Sequence, residues 1–140
     1  MEGKGFEVII AENTSDLAKR CNLIITTTSA RAPLLKSSDI QPGKPITAMG
    51  ADAPGKIEVD PELIAKADAV VVDNKNQCID HGEIDQAYKQ KLIKDQDLIE
   101  LGEIIANPSL GRKDENQITI SDLTGVAVQE IQIAKAVITA

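Results

Sequence analysis

Apolar residues in this chain come in short unbroken blocks set between turn-forming residues. Residues 6–11 (FEVIIA), 22–28 (NLIITTT), 46–49 (ITAM) and 69–72 (AVVV) are blocks of this kind. Consecutive apolar, β-branched positions predict strands covered on both faces, as in a parallel sheet. Residues 118–121 differ: Ile118 and Ile120 alternate with Thr119 and Ser121, which predicts a half-buried strand.

Helical segments are predicted between these blocks. Thr14 or Ser15 offers an N-cap for a short helix over 16–20, with its acid first and its bases last. Residues 29–33 break the second strand, and 34–40 leave room for a short helical segment before Gln41-Pro42-Gly43 closes it. Asp60 as N-cap and Pro61 at the first helical position start a helix that runs to about residue 67. The pattern from 74 to 105 is helical, over 77–80, 84–92 and 97–105. In the last of these Leu98, Leu101, Ile104 and Ile105 recur at helical spacing. A polar loop over 107–116 follows, and 125–138 closes the chain as a helix with Val126, Ile133 and Val137 near one face. This alternation predicts one α/β domain over residues 1–140, with a mainly parallel sheet and flanking helices.

Composition adds two constraints. With one Phe, one Tyr and no Trp, the core has to be packed from Ile, Val, Leu and Ala. A net charge of −7 with no basic cluster excludes a nucleic-acid-binding surface and disfavours anionic membranes. No apolar run reaches membrane-spanning length and Met1-Glu2-Gly3-Lys4-Gly5 has no signal-peptide character, so a cytoplasmic protein is expected. Cys21 and Cys78 have no metal-type spacing and are read as reduced thiols.

If the strands are parallel, their carboxyl ends collect polar residues along one edge of the sheet: Thr26 to Ser29, Gly50 to Asp52, Asp73, and Asp122-Leu123-Thr124-Gly125. Ligands of open α/β sheets bind at that edge. Each residue also has a plainer reading. Thr26 to Thr28 either face a ligand or satisfy backbone groups at a strand end. Asp73, Asp122 and Thr124 are helix caps or site residues, and Lys56 is an active or a merely solvated loop lysine. Asp52 lies in the tight Gly50-Ala51-Asp52-Ala53-Pro54-Gly55-Lys56 loop with no evident helix to cap. It is either a turn residue or an acid held for proton transfer. His81, near Cys78 and Glu83, is read as structural, with no metal site. No Ser/His/Asp set, G-x-S-x-G motif or P-loop is present.

The loop from Gly50 to Lys56, followed by Glu58-Val59-Asp60-Pro61-Glu62-Leu63, resembles the signature of the ornithine cyclodeaminase/mu-crystallin family. Three further stretches agree in order: Val70-Val71-Val72-Asp73; Leu101-Gly102-Glu103-Ile104-Ile105 before Gly111-Arg112; and Ile118-Thr119-Ile120 through Asp122-Leu123-Thr124-Gly125-Val126-Ala127-Val128-Gln129-Glu130. The resemblance implies an NAD- or NADP-dependent domain that acts on amino acids or imines by hydride exchange at the α-carbon. In the cyclodeaminases a side-chain amine then closes on that carbon and ammonia leaves. It further implies that Asp52 is the acid/base residue beside the substrate amine. Thr26, Thr27 and Ser29 would line the cofactor, and Gly50, Ala51 and Thr124 would lie near nicotinamide and ribose.

The chain also departs from the family pattern. Members carry, before the segment matching Phe6, a strand with a GxGxxG/A turn and a second strand ending in a ribose-selecting residue. Here Gly3 and Gly5 precede a predicted strand, so no phosphate cradle at a helix N-terminus is expected. The family's substrate and dimerisation domain has no counterpart either. The expectation is a partial, Rossmann-like sheet lacking the first two family strands, from a truncated enzyme with little activity alone. The strands at 6–11 and 23–28 would then pair with each other, or two chains would pair edge to edge as a homodimer. The alternatives are a non-catalytic ligand-binding or assembly module derived from the family, and a complete small α/β enzyme.

Overall fold

A computed structural model describes Gly5 and residues 7–139. In chain order it contains α1 (Thr14–Arg20), β1 (Ile24–Thr26), β2 (Arg31–Leu35), β3 (Pro45–Ala48), β4 (Ile57–Val59), α2 (Pro61–Lys66), β5 (Ala69–Val72), α3 (Lys75–His81), α4 (Ile84–Lys89), β6 (Leu98–Glu100), α5 (Leu101–Ala106), β7 (Thr119–Asp122) and α6 (Ala127–Ile138). Single 3₁₀ turns occupy Ser37–Asp39, Asp95–Asp97 and Pro108–Leu110.

Five strands form one sheet in the order β1-β3-β7-β5-β6, and every pairing in it is parallel. Thr26 stands opposite Ala48, Ala48 opposite Asp122, Asp122 opposite Val72, and Val72 opposite Glu100. The carboxyl ends of all five strands are therefore level. The α/β class and the parallel sheet agree with the sequence pattern. Ile24, Ile46, Val70, Val72 and Ile120 from the strands pack with Leu63, Ile64, Ile84 and Ala87 from the helices in one core. Each of the larger side chains among them contributes roughly 1.5–3 kcal/mol by leaving water.

Several local expectations are corrected. Phe6 lies outside the described residues, and residues 7–11 form no strand; Val8, Ile9 and Ile10 are exposed. With no neighbouring strand, their backbone groups have no ladder to join. Among the described residues the direct pairing of this segment with residues 23–28 is therefore not formed, and β1 is an edge strand joined only to β3. Leu23 and Ile25 are exposed, so β1 is covered on one face instead of two.

Residues 31–35, read partly as a break and partly as helix, form β2, which pairs with β4 in a separate two-stranded parallel sheet. Pro33 is tolerated because β2 has only one neighbour and an irregular register. Asn13, not Thr14 or Ser15, caps α1, its side chain accepting the Asp16 N–H at 2.9 Å. The helix expected over 97–105 begins only at Leu101, because Leu98, Ile99 and Glu100 pair with β5. Asp60 and Pro61 start α2 as expected, the Asp60 carboxylate accepting the Glu62 N–H at 3.0 Å. The closing helix forms, but Ile133 and Val137 on α6 are exposed and reach no core.

Candidate functional site

The level strand ends bring three loops together: residues 27–30 after β1, 49–56 after β3, and 123–126 after β7. The first two are joined by backbone: the Met49 N–H donates to the Thr26 carbonyl at 2.9 Å. The third joins them where the Leu123 N–H donates to the Ala48 carbonyl at 2.9 Å. Parallel pairing thus assembles most of the residues that the sequence singled out.

Thr26 is buried, and its Oγ1 has no hydrogen-bond partner. Burying a hydroxyl without a partner costs about 1–3 kcal/mol, so this orphan marks a place where a polar ligand atom would be favoured. It borders a cavity of about 200 Å³ lined also by Leu17, Ile25, Thr27, Thr28 and Leu34. Thr27 and Ser29 are exposed beside it, whereas Gly50 and Ala51 are buried.

Asp52 is exposed, and its carboxylate accepts a hydrogen bond from the Lys56 ammonium across the loop. That bond, and then the Lys56 charge, hold the Asp52 carboxyl below the usual carboxylate range. At neutral pH Asp52 is therefore an anion that accepts an N–H hydrogen bond readily, and it becomes a better proton acceptor only when the Lys56 bond that lowers it is broken. Of the two readings of Lys56, the structure favours a residue that sets the state of Asp52.

Asp73 organises the third loop. Its Oδ1 accepts the Asn74 N–H at 2.8 Å and the Thr124 hydroxyl at 3.0 Å, and its Oδ2 accepts the Gly125 N–H at 2.7 Å. Gly125 has φ of +88°, a left-handed conformation that glycine adopts without strain. Gln77 Nε2 donates to the Gly125 carbonyl at 2.7 Å and completes the clamp. Asp73 is thus not the cap of α3; Asn74 fills that role, accepting the Gln77 N–H at 3.0 Å. Thr124 is likewise spoken for by Asp73 and caps no helix. The Cys78 thiol donates to Asp73 Oδ1 at 3.3 Å, and burial, followed by the Asp122 charge, pushes it up to about 12. It is consequently an inert thiol and not a nucleophile. Cys78, His81 and Glu83 have separate partners: His81 Nδ1 lies 3.0 Å from Asp80, and Glu83 faces β4.

Behind these loops lies a group of buried acids, of which the sequence had singled out Asp122 alone as a candidate. Glu58, Glu83 and Asp122 are almost wholly buried, and none has a basic partner among the described residues. Glu83 accepts the N–H groups of Glu58 and Val59, and Asp122 accepts the Ile84 N–H at 3.1 Å. Burial pushes Glu83 up to about 7 and Asp122 up to about 6. The signal in the sequence was the glycines. A Cβ on Gly50 would stand 2.4 Å from Glu58 Oε2, and one on Gly82 would stand 2.3 Å from Asp122 Oδ2.

An open parallel sheet with its polar loops gathered at the strand carboxyl ends defines the class of dinucleotide-binding α/β domains. Residues 1–139 match the profile of the ornithine cyclodeaminase/mu-crystallin family. The chain belongs to that family. It is 41% identical over 121 residues to alanine dehydrogenase of Archaeoglobus fulgidus, covering 86% of this chain and 37% of that protein. Among solved structures, it is similar to iminosuccinate reductase of Paracoccus denitrificans in complex with NAD+, with a TM-score of 0.84 and 35% identity over 91% of this chain and 39% of that one. Thermococcus litoralis Δ1-pyrroline-2-carboxylate reductase, in complex with NADH and L-proline, aligns with a TM-score of 0.83 and 28% identity over 89% of this chain and 39% of that one. The chain spans about two fifths of the length of the relatives it matches.

Proposed function

We propose that this chain forms the nicotinamide-facing half of an NAD- or NADP-dependent site that interconverts an amino acid and its imine. The observation that carries the reading is the place of Asp52. It is an ionised carboxylate at the carboxyl end of a parallel strand, between a loop with an orphaned threonine hydroxyl and a loop clamped by Asp73. Relatives named as a dehydrogenase and as imine-type reductases, with NAD+ or NADH bound in solved examples, support it.

The residues fit one half of such a cofactor. Thr26, Thr27 and Ser29 offer hydroxyls at the end of β1, while Gly50 and Ala51 after β3 and Thr124 after β7 are the small residues at the same edge. No strand-to-helix turn of the GxGxxG kind occurs in the 140 residues, so a pyrophosphate finds no cradle in this sequence. When bound, the nicotinamide supplies hydride exchange with the substrate's α-carbon. Asp52 takes a proton from the substrate ammonium, or holds the N–H of the imine form, and Lys56 has to yield its hydrogen bond as that nitrogen arrives.

A chain with half of the cofactor site and no pyrophosphate cradle binds cofactor weakly and turns over little by itself. Calorimetry with NAD and NADP, beside an amino-acid dehydrogenase and imine reductase assay, tests this. Weak binding with turnover near background is expected. Tight binding would overturn the importance given to the glycine turn, and turnover abolished by Asp52→Asn would overturn the inactivity. A second reading, a ligand-binding or assembly module that pairs with another chain, draws support from the apolar Leu23 and Ile25 on the open edge and from α6. For a homodimer formed through that edge, sedimentation should show a dimer that Ile25→Lys dissociates.

A further inference from the structure

The two loops that meet at Asp52 are tied together by a single buried side chain. Glu58 lies on β4, outside the main sheet, and is 0% exposed. Its carboxylate inserts between the loops that follow β1 and β3: Oε1 accepts the Thr28 N–H at 2.6 Å, and Oε2 accepts the Gly50 N–H at 3.0 Å. A Cβ on Gly50 would stand 2.2 Å from the Thr28 carbonyl oxygen as well as 2.4 Å from Oε2, so glycine is what admits the carboxylate. Behind it, Glu83 accepts the Glu58 N–H with both oxygens, at 3.0 and 2.9 Å, and the Val59 N–H at 2.9 Å. Asp122 secures the next residue through the Ile84 N–H.

We propose that Glu58 is the positioning residue of the site, holding the loops after β1 and β3 in register so that Asp52 and the Thr26–Ser29 hydroxyls face one space. The significance for catalysis rests on the reading given under Proposed function, whereas the clamp itself does not. A buried carboxylate without a basic partner is a poor device for stability alone, since a packed apolar side chain there is often as good or better. What an apolar side chain could not do is accept two N–H groups from two different loops, and charge-assisted bonds of this type are about twice as strong as neutral ones. Both acceptor oxygens are spent on the site loops and none on β4 itself.

The test is the amide and carboxyl spectrum of the whole chain in Glu58→Gln. A glutamine offers one acceptor and turns an NH₂ donor towards the other N–H, so one loop is released. The Thr28 or Gly50 amide proton is expected to leave the downfield position typical of a bond to a carboxylate, with exchange at least about tenfold faster. The Asp52 titration is expected to rise towards the ordinary carboxylate range as its pairing with Lys56 loosens. A merely structural role would lower the melting temperature and leave the Asp52 titration in place. Gly50→Ala, made on the other loop, should shift the Thr28 amide through the displaced carboxylate. A folded Glu58→Gln with both amides and the Asp52 titration unchanged overturns the proposal. Should that variant fail to fold, an unmoved Thr28 amide in Gly50→Ala does the same. Failure of the cofactor reading would look different: NADH would shift no resonance of the wild-type chain while the clamp stayed intact.

Discussion

At the scale of single residues, the chemistry turns on how two groups of carboxylates are kept in different states. Asp52 is held as an anion by Lys56, in water, while Glu83 and Asp122 are pushed towards the neutral form by burial. Lys56→Met should therefore raise the Asp52 titration towards its ordinary value, as followed by carboxyl NMR; an unchanged midpoint would show that Lys56 does not set it. The buried pair sets the response of stability to pH. Glu83 rises from an ordinary 4.5 to about 7 and Asp122 from 3.8 to about 6, so the folded chain holds protons that the unfolded chain has released. That stabilisation is complete below the unfolded values and is lost as pH rises through about 6 to 7. Urea unfolding should show the chain of order 4 kcal/mol more stable at about pH 5 than at about pH 8.5. The Glu83→Gln variant should flatten the slope, and a stability that climbs over this range would contradict the assignment. The place of Asp52 in a tight loop after β3 was legible in the sequence from the Gly/Pro/Gly turn chemistry around it, whereas its pairing with Lys56 was not. Glu58 and Glu83 were not legible, because nothing local distinguishes a buried acid from a solvated one. Only the three-dimensional approach of Gly50 reveals Glu58, and only the Glu58 and Val59 N–H groups turned towards it reveal Glu83.

At the scale of elements, β7 is the keystone, because it stands between β3 and β5 and delivers both Asp122 and the Thr124 loop to the edge. Ile120, wholly buried at its centre, should cost about 2–5 kcal/mol when replaced by Ala, measured by urea unfolding. A loss below 1 kcal/mol, on the order of a surface change, would show that this strand is less central than its pairing implies. Asp73→Ala removes the acceptor for the Thr124 hydroxyl and the Gly125 N–H. Hydrogen exchange at Gly125 should then approach that of an open loop, with the β5 amides still protected. β5 was legible as a continuous apolar run that is buried along most of its length, and β3 as a short apolar run that buries Ile46 and Ala48. Errors cluster where tertiary pairing overrides local pattern. Leu98 and Ile105 share a helical spacing in sequence, yet Leu98 is buried in β6 and Ile105 is exposed at the end of α5. Likewise β2 carries Pro33 inside it, which reads as a break until β4 is found beside it.

At the scale of the whole molecule, the chain presents a parallel sheet with polar loops gathered at its carboxyl edge and with exposed apolar residues on its β1 side and terminal helix. The parallel α/β architecture followed from the alternation of apolar blocks and capped helices along the chain. The direct pairing expected between residues 6–11 and β1 was not formed, because residues 7–11 have the composition of a strand and no strand beside them; the other expectation, an open edge, is the one that fits β1. The central claim is that the ends of β1, β3 and β7 form a cofactor-facing half-site around Asp52. Titrating the ¹⁵N-labelled chain with NADH while following the backbone amides tests it most directly. Weak, fast-exchanging shifts are predicted at Thr26, Thr27, Ser29, Gly50, Ala51 and Thr124. Shifts confined to the opposite end of the sheet, around Asp68 and Ile118, or no shift at any amide, would contradict it.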